Sequence, residues 1–428
     1  MTTDQELAQQ QAQRPPKWRV IGPGLVVAAT GVGAADLVAT LVAGAKFGYT
    51  LLWVAVLGAV IKVVLVEGAG RFSLSSGKTI FEGWRSLGRW TTWYFAPYIV
   101  IWGLVYGATA MSSSALPVVS IFPDLSLRWT AVAFGLGGLA MVWFGSYVTF
   151  ERITVALVGV MFVTIVGAAA LTLPNLGEIA LGLRPTLPDD SLINILALAG
   201  GVGGTITLAA YGYWLREKGW STPRFMKVMR IDNSVAYAVT AIFVVAMLIV
   251  GAELFYSANI AVGTDDQALL QVSDVLADRY GETFRYLFLV GFWAASFTSL
   301  IGVWSGVSLM FADFVGNLRD LRPGHADTRT GGRFFKIYLL WLTFPPMLLL
   351  LLDQPIGLIL AYGTLGALFM PFLAITLLVL LNRRDDVVPR QWRNGWLSNS
   401  LMALCALLFL ALAVNELRNL LAPYLSFI

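Results

Sequence analysis

Cysteine and histidine are almost absent: the 428-residue chain holds one of each, Cys405 in an apolar run and His325 in a polar loop. That excludes a disulfide framework, a Cys/His zinc cluster and a c-type haem motif. A histidine-based catalytic triad would have to use His325, which sits between Arg322 and Asp327 in a charged loop. Charge is scarce as well. Only 13% of residues are Asp, Glu, Lys or Arg, about half of the roughly 25% usual in soluble domains. No constellation for enzyme catalysis is present, and no cofactor is expected. What fills the chain instead is apolar sequence, 57% of all residues with a mean hydropathy of +0.74.

The apolar residues come in runs long enough to cross a bilayer, which takes about 20 residues per helix. Eleven candidate spans lie at roughly 21–43, 51–71, 93–115, 128–146, 153–173, 192–214, 233–254, 284–311, 334–352, 355–381 and 398–420. Residues 1–20 read as a short polar tail, and 21–428 as one polytopic domain. Residues 268–282 carry apolar positions at helical spacing between acids, which predicts an amphipathic helix at the membrane surface.

The Lys and Arg residues separate by side. Twenty-two fall in the tail and the loops after spans two, four, six, eight and ten, and six fall in the opposite loops. By the positive-inside rule the N-terminus is cytoplasmic. With eleven spans the C-terminus lies outside, and the expected location is the inner membrane. The pI near 9.1 therefore reports membrane topology rather than nucleic-acid binding. The expected partners are lipid and a small solute, and the expected state is a monomer.

Two spans are interrupted by glycine. Span one places Gly31 and Gly33 at mid-membrane, followed by Asp36. Span six clusters Gly200, Gly201, Gly203 and Gly204 at its middle. Unwound backbone is tolerated at membrane depth only where it is buried in protein or lines a cavity. Two such breaks five spans apart mark an all-α, five-plus-five inverted repeat with substrate bound at the breaks. The repeats cover about 21–173 and 192–381, with 398–420 as an extra helix.

Several strings resemble the Nramp family of divalent-metal transporters. They are Gly22-Pro23, AGAKFGYTLLWV at Ala43–Val54, and the Ser75–Gly77 ending of span two, with weaker likeness at Ser299–Gly306 and Gly366–Phe372. The resemblance implies a LeuT-type fold and alternating access. It also implies metal ligands that this chain largely lacks. The family's span-one Asp and Asn align with Gly33 and Asp36, and its span-six carbonyl, Met and His with Gly204, Thr207 and Ala209. Its span-ten Gln aligns with Thr364. The family's proton-coupling acids in span three and arginines in span nine have no counterpart, since Trp93–Leu116 has no acid and Tyr338–Leu352 no Arg.

On physical grounds Asp36 is the foremost candidate, because an acid at mid-membrane is costly and is kept for function. With the carbonyls of Gly33 and Gly204 and the hydroxyls of Thr205, Thr207, Tyr211 and Thr364 it would make an oxygen cage suited to Mg²⁺ or Mn²⁺. Lys62 and Glu67 in span two are candidates for a counter-charge or gate. If Lys62 reaches Asp36, the site is neutral overall and suits an amine, amino acid or other zwitterion instead. Both cargo readings stay open at this point.

Overall fold

The computed structural model describes residues 22–201, 203–258, 260, 267–350, 355–383 and 387–425. Every candidate span falls on a helix, and spans one and six fall on two helices each. Among the described residues, seven helical stretches are long and apolar enough to cross a bilayer. The surface helix forms at Gln267–Tyr280, and its apolar side, Leu269, Val272 and Leu276, is buried rather than exposed. It packs on spans one and eight.

Span one runs as Pro23–Thr30 and then Ala34–Phe47, with Gly31, Val32 and Gly33 between. Proline suits the first turn of a helix, where its missing N–H is not needed. Asp36, in the first turn of the second half, accepts a hydrogen bond from the Gly33 amide at 3.0 Å. A carboxylate is favoured at that end by the positive pole of the helix. Span six runs as Leu192–Gly201 and Thr207–Glu217. Gly203 and Gly204 turn the chain with φ of 76° and 92°, a region costly for any residue with a Cβ.

The core has two large bodies and a smaller one, in which Ala43, Leu52, Leu198 and Leu248 of spans one, two, six and seven meet. One large body gathers spans two, three, nine and ten with the second half of span six. The other gathers spans one, five and seven with the surface helix. Span eight, Glu282–Leu318, contributes to both, and 83% of its apolar stretch is buried, against 22% for span four and 28% for span eleven. Span eight is thus the shared wall, while spans four and eleven are peripheral. Trp93, Trp129, Phe144 and Trp396 stand exposed at helix ends, where aromatic residues anchor a protein in the lipid interface.

The breaks meet at the centre. A Cβ built on Gly31 would lie 2.2 Å from the carbonyl carbon of Gly203 and 2.4 Å from the Gly204 nitrogen. The two backbones touch with no room for a methyl group. Gly31→Ala is therefore expected to lower stability by about 1–3 kcal/mol or more, the usual cost of overpacking. Gly137→Ala, with nothing within 4 Å of the added carbon, is the control. Thermal melts of the two purified variants compare them, and equal melting points would contradict this contact.

Candidate functional site at the two helix breaks

Unwinding span six frees backbone carbonyls from the helix ladder, and in a membrane each needs another donor. Two side chains supply them. The Tyr237 hydroxyl, from span seven, donates to the Gly203 carbonyl at 3.0 Å. The Lys62 ammonium, from span two, donates to the Gly204 carbonyl. Lys62 is fully buried, and its Nζ also lies 3.8 Å from the Met370 sulfur and 5.5 Å from the centre of the Phe409 ring. Residues of spans two, six, ten and eleven therefore converge on one ammonium group.

At the span-one break the Thr30 carbonyl accepts from Ser299 Oγ of span eight at 2.8 Å. Tyr106 of span three and Ser299 are 2.7 Å apart. Since the Ser299 proton goes to Thr30, Tyr106 is the donor to Ser299. Asp36 is half-buried and within electrostatic reach of both Lys62 and Tyr106. The site thus holds a carboxylate at the span-one break and an ammonium at the span-six break.

The predicted site residues fare differently. Thr207 is buried at the head of the second half-helix, and its hydroxyl lies 2.8 Å from where a Gly204 Cβ would stand. Thr205 is half-buried and packs towards Gly366 of span ten. The side chain of Thr364 lies outside the described residues. Gly33 is at the break, yet its carbonyl accepts from the Leu37 amide at 3.2 Å as the first bond of the half-helix. It is not the freed ligand expected of it.

Tyr211 is not brought to the breaks. Its hydroxyl donates to Asp232 at 2.9 Å, one full side chain away towards the basic end of the molecule. Asp232, buried on span seven, accepts from the amides of Gly22 at 2.8 Å and Gly24 at 2.6 Å. It therefore clamps the start of span one. Glu151 of span five, paired with Lys218, closes on Gly22 from another side.

Glu67, the other span-two candidate, is engaged in two ion pairs. It bridges Arg71 at 3.0 Å and Arg230 at 2.9 Å, joining span two to span seven. Arg71 continues to the Trp392 carbonyl at 2.9 Å and to Asn394 at 2.6 Å. This is a cross-brace at the basic end and is compatible with a gate.

Four participants escaped the sequence reading of the breaks themselves: Tyr106, Tyr237, Met370 and Phe409. Met370 matters most, because it brings a thioether to a site expected to be all oxygen. Its signal was a methionine beside Pro371 in span ten, and a methionine in an apolar helix is usually packing. Among the described residues no group of three or more His, Cys, Asp or Glu could hold a metal.

A closed helical domain with paired breaks and charged groups at their contact defines a membrane transporter of the LeuT type. The family model described as natural resistance-associated macrophage protein-like, Nramp, matches residues 24–418, and the chain belongs to that family of transporters. It is 23% identical over 440 residues to the divalent metal cation transporter MntH of Mycobacterium leprae, covering 95% of each chain. It is 25% identical to the MntH of Latilactobacillus sakei, covering 68% of this chain and 67% of that one. The crystal structure of the Eremococcus coleocola manganese transporter in complex with an aromatic bis-isothiourea substituted compound superimposes with a TM-score of 0.76. It shares 17% identity and covers 92% of this chain and 86% of that chain. The nucleobase-cation-symport-1 family transporter MHP1 shares the fold more distantly, with a TM-score of 0.57 and 14% identity over 94% of this chain and 93% of that one.

Asp36→Asn keeps an oxygen that can accept from the Gly33 amide, so the half-helix remains capped. The variant should express and stay monodisperse while uptake into proteoliposomes is lost. Uptake at the wild-type rate would remove the Asp36 charge from the mechanism.

Proposed function

We propose that this transporter carries a hard divalent cation, Mg²⁺ or Mn²⁺, by alternating access about the two breaks and without the family's proton relay. The observation that carries this reading is that Asp36, accepting from the Gly33 amide, heads the half-helix after one break, and Thr207, whose hydroxyl lies 2.8 Å from where a Gly204 Cβ would stand, heads the half-helix after the other, with the two breaks in backbone contact. Carboxylate, hydroxyl and carbonyl oxygens suit cations that hold their hydration tightly. Family membership and the manganese-transporting relatives support the class of cargo. The proposal places the protein in the inner membrane as a monomer, with eleven crossings, its N-terminus in the cytoplasm and its C-terminus outside.

A second reading has a specific observation in its favour. The Lys62 ammonium on the Gly204 carbonyl puts a fixed positive charge in the site. With Asp36 this makes a balanced pair that would hold an amine, amino acid or other zwitterion.

Calorimetric titration separates the two. Under the leading proposal, purified protein binds Mn²⁺ or Mg²⁺, and Cd²⁺ binds no tighter than Mn²⁺, because Thr207 stands where the family's methionine would favour soft ions and the Met370 sulfur is occupied by the Lys62 ammonium. Tighter Cd²⁺ binding would refute the hard-ion assignment. Heat from amino acids or amines, with none from metals, would favour the second reading.

Coupling is read with a pH-sensitive dye trapped in proteoliposomes. The chain has no charged residue between Thr91 and Pro123 and no Arg in Tyr338–Leu352. Metal-driven uptake should therefore leave the internal pH unchanged. Stoichiometric acidification would show that another relay exists.

A further inference from the structure

Lys62 stands in the middle of Leu52–Ser76 with no solvent exposure at all. Snorkelling to an interface, the usual relief for a lysine in a bilayer, is therefore closed to it. A buried ammonium is tolerated only when opposite charge and acceptors compensate it. Here the compensation has a particular form. One acceptor is the Gly204 carbonyl, exposed by the two left-handed glycines of the span-six break. In broken-helix transporters, unwound carbonyls of this kind coordinate the transported or coupling cation. A second contact is the Met370 sulfur, and a third is the face of Phe409, both of which attract cations. The opposite charge within electrostatic reach is Asp36, at the span-one break.

We propose that Lys62 is a tethered cation that fills the span-six cation seat while the transporter is empty. Its nitrogen marks a point on which Gly204 O and Met370 Sδ converge, and a diffusible cation can use those atoms only if the side chain withdraws. The empty protein then keeps its central break closed and its charge balanced, as a loaded carrier would. It can reorient without cargo, and the ammonium competes with any incoming cation. The competition rests on the divalent-cation reading, whereas the occupancy of the seat by Lys62 does not.

The test uses the full-length protein in lipid nanodiscs, with hydrogen exchange of the amides in 203–209 read by mass spectrometry. Without divalent ions, Lys62→Leu should exchange there about tenfold faster than wild type, since the break loses its tie and opens locally. Added Mn²⁺ should restore protection in Lys62→Leu and leave wild type unchanged. Wild-type exchange in the metal-free variant would overturn the proposal.

Lys62→Gln provides an arm that does not depend on an apolar replacement folding. Its amide can still donate to the Gly204 carbonyl, so the tie is kept and the charge is removed. The break should stay protected while Mn²⁺ binds about tenfold more tightly, because a nearby like charge is gone. Equal Mn²⁺ affinity in wild type and Lys62→Gln would overturn the competition. If Lys62→Leu opens the break and Mn²⁺ does not close it, the tethered cation stands and the metal cargo falls.

Discussion

The structure depends on one contact, the bare backbone of Gly31 against that of Gly203. Two helices can be broken at membrane depth only if each break is sheltered, and here each shelters the other. The contact needs glycine at Gly31 and at Gly204 beside Gly203, because an added carbon on Gly31 would lie 2.2 Å from the Gly203 carbonyl carbon and one on Gly204 would lie 2.8 Å from the Gly31 Cα. Everything that defines the site follows from it. Asp36 is held at the head of one half-helix and Thr207 at the head of another, each at the edge of its break.

The breaks also create a demand for donors that the rest of the fold has to meet. The carbonyls of Thr30, Gly203 and Gly204 are satisfied by Ser299, Tyr237 and Lys62. These come from spans eight, seven and two, none of which is itself broken. Unsatisfied, each carbonyl would cost about 1–3 kcal/mol, so the intact spans are fitted around the broken ones. Span eight is the most buried because it faces the breaks while packing in both halves of the core.

The spans, the two breaks and the importance of Asp36 and Lys62 were legible because each is a local departure from apolar sequence. A glycine cluster or a charge inside a hydrophobic run is visible without knowing the fold. Partners are a different matter. Gly204 and Lys62 are 142 positions apart, and no spacing rule connects them. Tyr106 and Tyr237 look like the many other aromatics of an apolar helix, and their roles lie only in where the hydroxyl ends. Tyr211 shows the opposite error. It sits four residues after Thr207, one turn along the same helix, and that turn carries its hydroxyl out of the site to Asp232.

The first half of span one, Pro23–Thr30, is a rod of eight residues, about 12 Å long at the rise of an α-helix. Asp232 pins one end through the amides of Gly22 and Gly24, and Gly203 bears on the other through Gly31. A rigid rod held at both ends cannot tilt by a little. A tilt would have to break the Asp232 bonds or part the Gly31–Gly203 contact. Movement of this segment is therefore coupled to two buried bonds at one end and to a bare backbone contact at the other.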